Sequence, residues 1–295
     1  MKYRILVFVF LLLLAGCQKK NSTHDSRLTT HNKNLPSHVS RLTSHYNVVV
    51  TSPEVAEIIC ELGLIDLISG VTLECDYPPE LKDKTIVGTF GKVDMEKVIA
   101  LEPDIVFVAG LEQEFLASEL NKLDIKVEMI YPNSVEAMLQ SIIDIGNILK
   151  VSEKSLALKQ ELKLEIAGLQ AAMGERRPEI YVEIYGNPLM SVSDSSYVGQ
   201  LVELAGFDNI FSSLPRAYSR ISPEDVINAS PEYILLLYPG ITAEQFKQRK
   251  GWQRINAVVN NRIFTEKEIN SDLLLRATPR SIRSLPQLAG LRTYE

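Results

Sequence analysis

Every imidazole in the chain lies in one short stretch, where His24, His31, His38 and His45 recur at intervals of seven residues, each preceded by Ser or Thr. Imidazoles repeated in a polar segment make either a weak metal-sequestering tract or an expanded spacer. From Tyr46 onward there is no histidine at all. That excludes a His-ligated zinc or haem site from the rest of the chain, and with it any Ser-His-Asp or Cys-His catalytic set. No GxSxG, HExxH or GxxxxGK[ST] run is present either. The chemistry expected is therefore binding rather than catalysis, with no resident metal or cofactor.

Carboxylates carry the second signal. Glu96 and Glu224 hold the same place in two similar segments, VDMEKVIALEPDIVFV at 93–108 and ISPEDVINASPEYILL at 221–236. Each falls in the first turn of a predicted short helix capped by Asp94 or Ser222, where a carboxylate gains about 0.3–1 kcal/mol from the helix dipole. That role accounts for one glutamate. Two matched surface carboxylates can also meet two cationic pockets on a symmetric partner, because charge complementarity fixes register.

The third reactive group is Cys17. It follows two early positive charges, the apolar run 5–14 and the small residues Ala15 and Gly16. The run is too short to span a bilayer and fits a secretory signal. The LAGC ending resembles the bacterial lipobox, which implies acylation of Cys17 and retention of the chain on a membrane leaflet. Residues 18–45 are rich in Ser, Thr, Asn and Lys and read as a linker, a poor coiled coil because each repeat offers one apolar position and Pro36 interrupts it. Cys60 and Cys75 could pair in an oxidising compartment or stay as buried thiols.

A net charge of −6 argues against nucleic acid, and 45% hydrophobic residues suffice for a large core. These groups need a scaffold, and the alternation of β-branched runs with amphipathic stretches supplies one. Strands are expected at 48–50, 68–71, 86–87, 105–108 and 126–130, with helices at 53–62, 95–101, 113–122 and from 135. From 152 to 173 one apolar stripe (Leu158, Leu162, Ile166, Leu169, Met173) predicts a long helix, with Ser152 as its cap and Gly174 as its stop. Strands then resume at 180–184, 233–237 and 262–264, with helices at 196–205 and from Pro223. The second half reads as a copy of the first. SPEVAEIICELGL at 52–64 matches SSYVGQLVELAGF at 195–207, and the two glutamate segments match as above. The expected fold is α/β, with two Rossmann-like lobes joined by a single long α-helix. Its parts are a signal peptide (1–16), a lipid-anchored His-containing linker (17–45), an N-terminal lobe (46–151), the connecting helix (152–174) and a C-terminal lobe (175–295).

Residues 46–295 resemble the periplasmic cobalamin-binding protein family, within the wider group of substrate-binding proteins for siderophores, haem and corrinoids. The motifs that carry the resemblance are CDYPPE at 75–80, VGTFGKVDMEKVIALEPDIV at 87–106, EIYGNPLM at 183–190, LVELAGFDNIFSSLPRAYSRISPEDVI at 201–227 and SDLLLRATPR at 271–280. The resemblance implies a ligand cleft between the lobes and an ABC importer as partner, its permease met by Glu96 and Glu224 and driven by an ATPase. It also implies a monomer in the cell envelope, lipid-anchored and facing the periplasm or exterior, that captures a metal chelate and is not an enzyme; the alternative of another class is a lipid-anchored enzyme on the same two-lobed scaffold, which would need a carboxylate pair in place of histidine. In such a cleft Phe90 and Tyr218 match aromatics that face the ligand, Asp272 and Arg276 match polar cleft groups, and Glu74 stands where a tyrosine is expected. Ala109 and Leu273 replace further rings. Cobalamin or another corrinoid is the first ligand expected. A ferric siderophore would use Arg216, Arg220 and Arg276, and haem would use Tyr77, Tyr185 or Tyr218. The alternatives for single residues are core packing for Phe90 and Tyr218, and pairing with nearby acids or capping a helix for Arg276 and Arg280; Trp252 is expected to pack on its own helix.

Overall fold

The computed structural model describes residues 46–110 and 113–293; the signal segment, Cys17 and the histidine-bearing linker lie outside the described residues. The first lobe is built on strands buried on both faces, which is why they read as unbroken apolar runs. In chain order its elements are β1 (Val48–Val50), α1 (Pro53–Glu61), β2 (Ile68–Val71), β3 (Thr85–Ile86), a hairpin of β4 (Gly88–Thr89) and β5 (Lys92–Val93), α2 (Met95–Ala100), β6 (Ile105–Val108), α3 (Glu114–Asn121), β7 (Val127–Met129) and α4 (Val135–Ile148). The main sheet has the order β3-β2-β1-β6-β7, and every pairing is parallel.

Helix α5 (Ser152–Ala172) follows, its 21 residues spanning about 32 Å. Leu158 and Leu162 are buried, and Ile166 and Leu169 pack half-buried on the same core. Its ends differ from the sequence expectation. Ser152 is the first helical residue rather than the cap, because its hydroxyl donates to Asn147 Oδ1 at 2.7 Å, and Val151 holds the cap position. At the other end Met173 turns extended, so the helix stops at Ala172, two residues before Gly174.

The second lobe centres on β8 (Glu179–Gly186). It is followed by β9 (Leu189–Val192), α6 (Tyr197–Leu204), β10 (Asp208–Asn209), β11 (Tyr218–Arg220), α7 (Pro223–Ala229), β12 (Tyr233–Leu236), α8 (Ala243–Lys247), α9 (Asn256–Val259), β13 (Ile263–Phe264), α10 (Asp272–Leu275), α11 (Pro279–Arg283) and α12 (Leu285–Gly290). Strands β10, β12 and β13 are parallel to the frame set by β8, while β9 returns antiparallel and carries β11 at the sheet edge. The sequence reading does not contain β9, β10 or β11. They are short, and LMSV and YSR lack a run of β-branched residues.

The duplication is visible in detail. Helices α1 and α6 are both capped by serine, Ser52 accepting from Val55 N and Ser196 from Gly199 N, and both end at a glycine of positive φ, Gly63 at 74° and Gly206 at 82°. Helices α2 and α7 each lead into the strand that pairs with the central one, β6 with β1 and β12 with β8. One apolar core runs from Val48 and Ile58 through Leu139, Leu158 and Leu162 to Val198, Leu201 and Leu285, so the lobes and α5 share buried surface. Smaller clusters finish the outer face of each lobe. Among the described residues no helix is long and apolar enough to cross a membrane.

Candidate functional site

In parallel α/β sheets ligands meet the loops beyond the carboxyl ends of the strands. In the first lobe those loops are pinned by one buried side chain. Gln113 Oε1 accepts from Thr51 Oγ1 at 2.6 Å, beyond β1, and from the Ala109 N–H at 2.8 Å, beyond β6. Its Nε2 donates to the Phe90 carbonyl at 3.0 Å, and Glu74 Oε2, beyond β2, accepts from the Phe90 N–H at 2.8 Å. Phe90 is therefore held by both its backbone polar groups at the tip of the β4–β5 hairpin. Gly88 makes that hairpin tight, since a Cβ there would lie 2.5 Å from the Lys92 carbonyl oxygen. A recess of about 200 Å³ opens beside Phe90, lined by Val93, Met95, Phe115 and Leu116.

The two lobes meet through arginines. Arg276 donates to Asp76 Oδ1 at 2.7 Å, pairs with Asp272 Oδ2 at 3.0 Å and comes within 3.8 Å of Glu57. Arg280 makes two hydrogen bonds to Glu57, at 3.0 and 2.7 Å, and its guanidinium stands 3.9 Å from the centroid of the Tyr77 ring. Asp272 and Arg276, expected as polar groups of the cleft, thus come together. They also satisfy one another: Arg276 is only 8% exposed and its charge is met by two aspartates. Burial works against the Arg276 charge, but the Asp76 hydrogen bond and the Asp272 and Glu57 charges hold its pKa above the ordinary value. Burial raises the Asp272 and Glu57 carboxyls, each opposed by its arginines.

Tyr218 faces the first lobe from the edge strand β11. It leaves 42% of its surface open, and desolvation, then Tyr131 and Glu54, push its pKa up to about 12. It is a neutral hydrogen-bonding phenol at physiological pH. Arg216 and Arg220 flank it, exposed, with no ion pair among the described residues. Tyr185 and Tyr238 meet edge to face, 6.5 Å apart, at the carboxyl ends of β8 and β12.

Glu96 and Glu224 are both exposed in the first turns of α2 and α7. The caps are as read from the sequence, Asp94 accepting from Lys97 N and Ser222 from Glu224 N. The Ser222 hydroxyl, then Glu224's own backbone N–H, lower the Glu224 pKa. Helix α2 begins beyond the carboxyl end of β3, and α7 begins beyond β11, which runs parallel to β8. Both glutamates therefore stand on the side of their lobe where the strands open.

Tyr131, Glu54 and Gln113 escaped the sequence reading, as did Tyr238. Tyr131 lies two residues past β7 and Gln113 five past β6, so position beyond a predicted parallel strand was the available signal. Trp252 is buried against Tyr181 and Phe246, away from any ligand role. Cys60 and Cys75 are free thiols whose pKa burial raises to about 12. Among the described residues no cluster of three or more His, Cys, Asp or Glu side chains is placed to hold a metal ion.

Residues 48–269 match the family model described as periplasmic binding protein. An uncharacterized ABC transporter substrate-binding lipoprotein, YvrC, from Bacillus subtilis is 25% identical over 251 residues, covering 82% of this chain and 78% of that protein. A vitamin B12-binding protein from Salmonella paratyphi A is 27% identical over 245 residues, covering 82% and 88%. The high-affinity heme uptake system protein IsdE from Staphylococcus aureus is 23% identical over 280 residues, covering 91% and 90%. Among solved structures, the periplasmic heme-binding protein HutB of Vibrio cholerae superposes with a TM-score of 0.75 at 20% identity, covering 85% of this chain and all of that one, a likeness of fold.

Proposed function

The chain belongs to the periplasmic binding protein family, and from that premise we propose that it is the receptor lipoprotein of an ABC importer, taking a planar metal chelate, first of all a corrinoid, into the cleft between its lobes. The observation that carries this reading is the lobe junction itself, where Tyr77 lies under Arg280 and Tyr218 lies near Tyr131 of the first lobe, beside Arg276 and Arg280 already paired with carboxylates; Phe90, held by its backbone at the tip of the β4–β5 hairpin, is a further ring of this reading. Aromatic faces suit a large flat ligand, and neutral phenols suit its peripheral amides. A strongly anionic chelate would find Arg276 and Arg280 committed to carboxylates and only the exposed Arg216 and Arg220 left to meet it. Relatives named for vitamin B12 binding and for ABC transport add support.

A second reading rests on Tyr131 and Tyr218, phenols near enough for the one to raise the pKa of the other, together with a relative named for haem uptake. Ferric porphyrin could be held there by a phenolate. The raised Tyr218 pKa works against that ligation, because the metal must displace a firmly held proton.

Glu96 and Glu224 would dock the receptor, as a monomer, on the permease, whose ATPase drives transport, and Cys17 would carry the acyl chains that keep the protein in the cell envelope. Delivery of cargo needs no catalytic group in the receptor. The test is a fluorescence titration of the full-length chain in mild detergent with cyanocobalamin, haemin, a ferric hydroxamate and a ferric catecholate. Saturable quenching by cyanocobalamin is expected; tight binding of another chelate with none of the corrinoid would overturn the ligand, and no binding at all would overturn the receptor. Cys17→Ser should abolish labelling by radioactive palmitate in cells, and persistent label would remove the anchor.

A further inference from the structure

The loop after β2 is fastened from the other lobe. Its Asp76 carboxylate is held by Arg276, and the ring of the next residue, Tyr77, lies under the guanidinium of Arg280. Arg280 in turn is fixed by two hydrogen bonds to Glu57, which is 2% exposed and sits on α1 of the first lobe. Both arginines belong to the C-terminal helical segment of the second lobe. One further residue of the same segment, Arg283, continues the line to Glu61 on α1 and to Glu161 on α5. The Glu57 and Glu61 carboxylates are spaced one helical turn apart on α1, as are Arg280 and Arg283 on α11, so the contact is a ladder rather than an isolated pair, with Arg276 joining it from the end of α10.

Tyr77 is the outcome of this arrangement. One face of its ring is covered by Arg280 while the residue as a whole remains 40% exposed, at a strand end where the cleft opens. A planar guanidinium stacked on a ring fixes its tilt as well as its place, which an ammonium group does not. We propose that Glu57 and Arg280 are positioning residues for ligand binding, a clamp between the lobes that sets Tyr77 as a further ligand-facing ring of the cleft. The ligand role of Tyr77 rests on the receptor reading above, whereas the clamp is a property of the unliganded chain.

The two parts separate in experiment. Hydrogen exchange of the full-length chain without ligand is followed in peptides covering residues 73–81, for wild type, Arg280→Met, Arg280→Lys and Tyr77→Leu. Arg280→Met should speed exchange there about tenfold, with Arg280→Lys in between, because a loop opens more readily once the side chain that fastens it is gone. Stopped-flow kinetics with cyanocobalamin should then give dissociation about tenfold faster for Arg280→Met and Tyr77→Leu, at association rates within about twofold of wild type. Exchange in 73–81 unchanged by both Arg280 variants would overturn the clamp, and Tyr77→Leu, a change at an exposed ring, keeps the kinetic test open if Arg280→Met fails to fold. Unchanged dissociation in Tyr77→Leu would overturn the ligand-facing role. A wild-type chain that binds no chelate would overturn the receptor reading and with it the role of Tyr77, leaving the clamp to be decided by exchange alone.

Discussion

Glu183 and Arg249 face each other through two hydrogen bonds, 2.6 and 2.7 Å long, although the glutamate side chain has no exposed surface. Tyr181 and Tyr238 donate their hydroxyls to the same carboxylate, so all its lone pairs are engaged. Burial, then the neighbouring Glu183 charge, drive the Tyr181 phenol well above its ordinary value, which keeps it a donor. Arg249 also lies over the Phe246 and Trp252 rings, tying the segment after α8 to the end of β8.

Breaking that pair from one side should be severe. Arg249→Met strands a charge with no water to meet it and is expected to cost about 3–5 kcal/mol, while a paired replacement, Arg249→Met with Glu183→Leu, should recover much of the loss. Urea denaturation gives both numbers. A single variant that loses less than about 1 kcal/mol would mean that the carboxylate finds another partner or solvent.

Phe90 provides a test of polar positioning. Glu74→Gln keeps an acceptor for the Phe90 N–H and should leave chelate affinity within about twofold of wild type, whereas Glu74→Leu should weaken it about tenfold. Gln113→Leu leaves the Thr51 hydroxyl, the Ala109 N–H and the Phe90 carbonyl without their partner and should destabilise the fold by about 3 kcal/mol. Equal affinities for the two Glu74 variants would show that the carboxylate does not act through Phe90.

The buried Glu57 makes a prediction about pH whose sign follows from its raised pKa. The folded state holds the proton more firmly than the unfolded chain, so the contribution of Glu57 is complete below the ordinary value of 4.5 and declines as pH rises toward the folded value. Wild type should therefore lose stability relative to Glu57→Gln as pH rises through that window. Denaturation midpoints of both proteins between pH 4 and 7 decide it. A relative gain with pH would mean that Arg280 outweighs burial and lowers the carboxyl.

Charge reversal at both Glu96 and Glu224 should abolish chelate uptake by cells while leaving affinity in solution within about twofold, because neither side chain belongs to the cleft floor. A single reversal should reduce uptake less than the pair. Uptake that survives the double variant would remove these residues from the docking surface.

Much of the architecture was legible because its signals are local. A capping residue before an apolar helix and β-branched runs buried on both faces produce the same elements wherever the chain carries them, which is why the central strands and the paired caps Asp94 and Ser222 could be read in advance. The same logic exposed Glu96 and Glu224, whose positions depend only on the helices that start beside them. Strands β9 and β11 were not legible, since their residues acquire strand geometry from pairing with β8 and with each other.

The sequence by itself determined the α/β type, the doubling, the long connecting helix and the absence of histidine from the lobes. Only the tertiary structure decided what the polar groups at the lobe junction do. Arg280 and Glu57 are 223 positions apart, and no spacing rule joins them. Their pairing exists because the shared core brings α11 against α1, where the buried Glu57 charge is met by Arg280 and, less closely, by Arg276. Within the first lobe Glu74 accepts from the Phe90 N–H, and the second lobe sets Tyr218 near enough to Tyr131 for its pKa to be raised. Local periodicity fixes which face of an element is apolar; it carries no information on which element from the other half of the chain will lie against it.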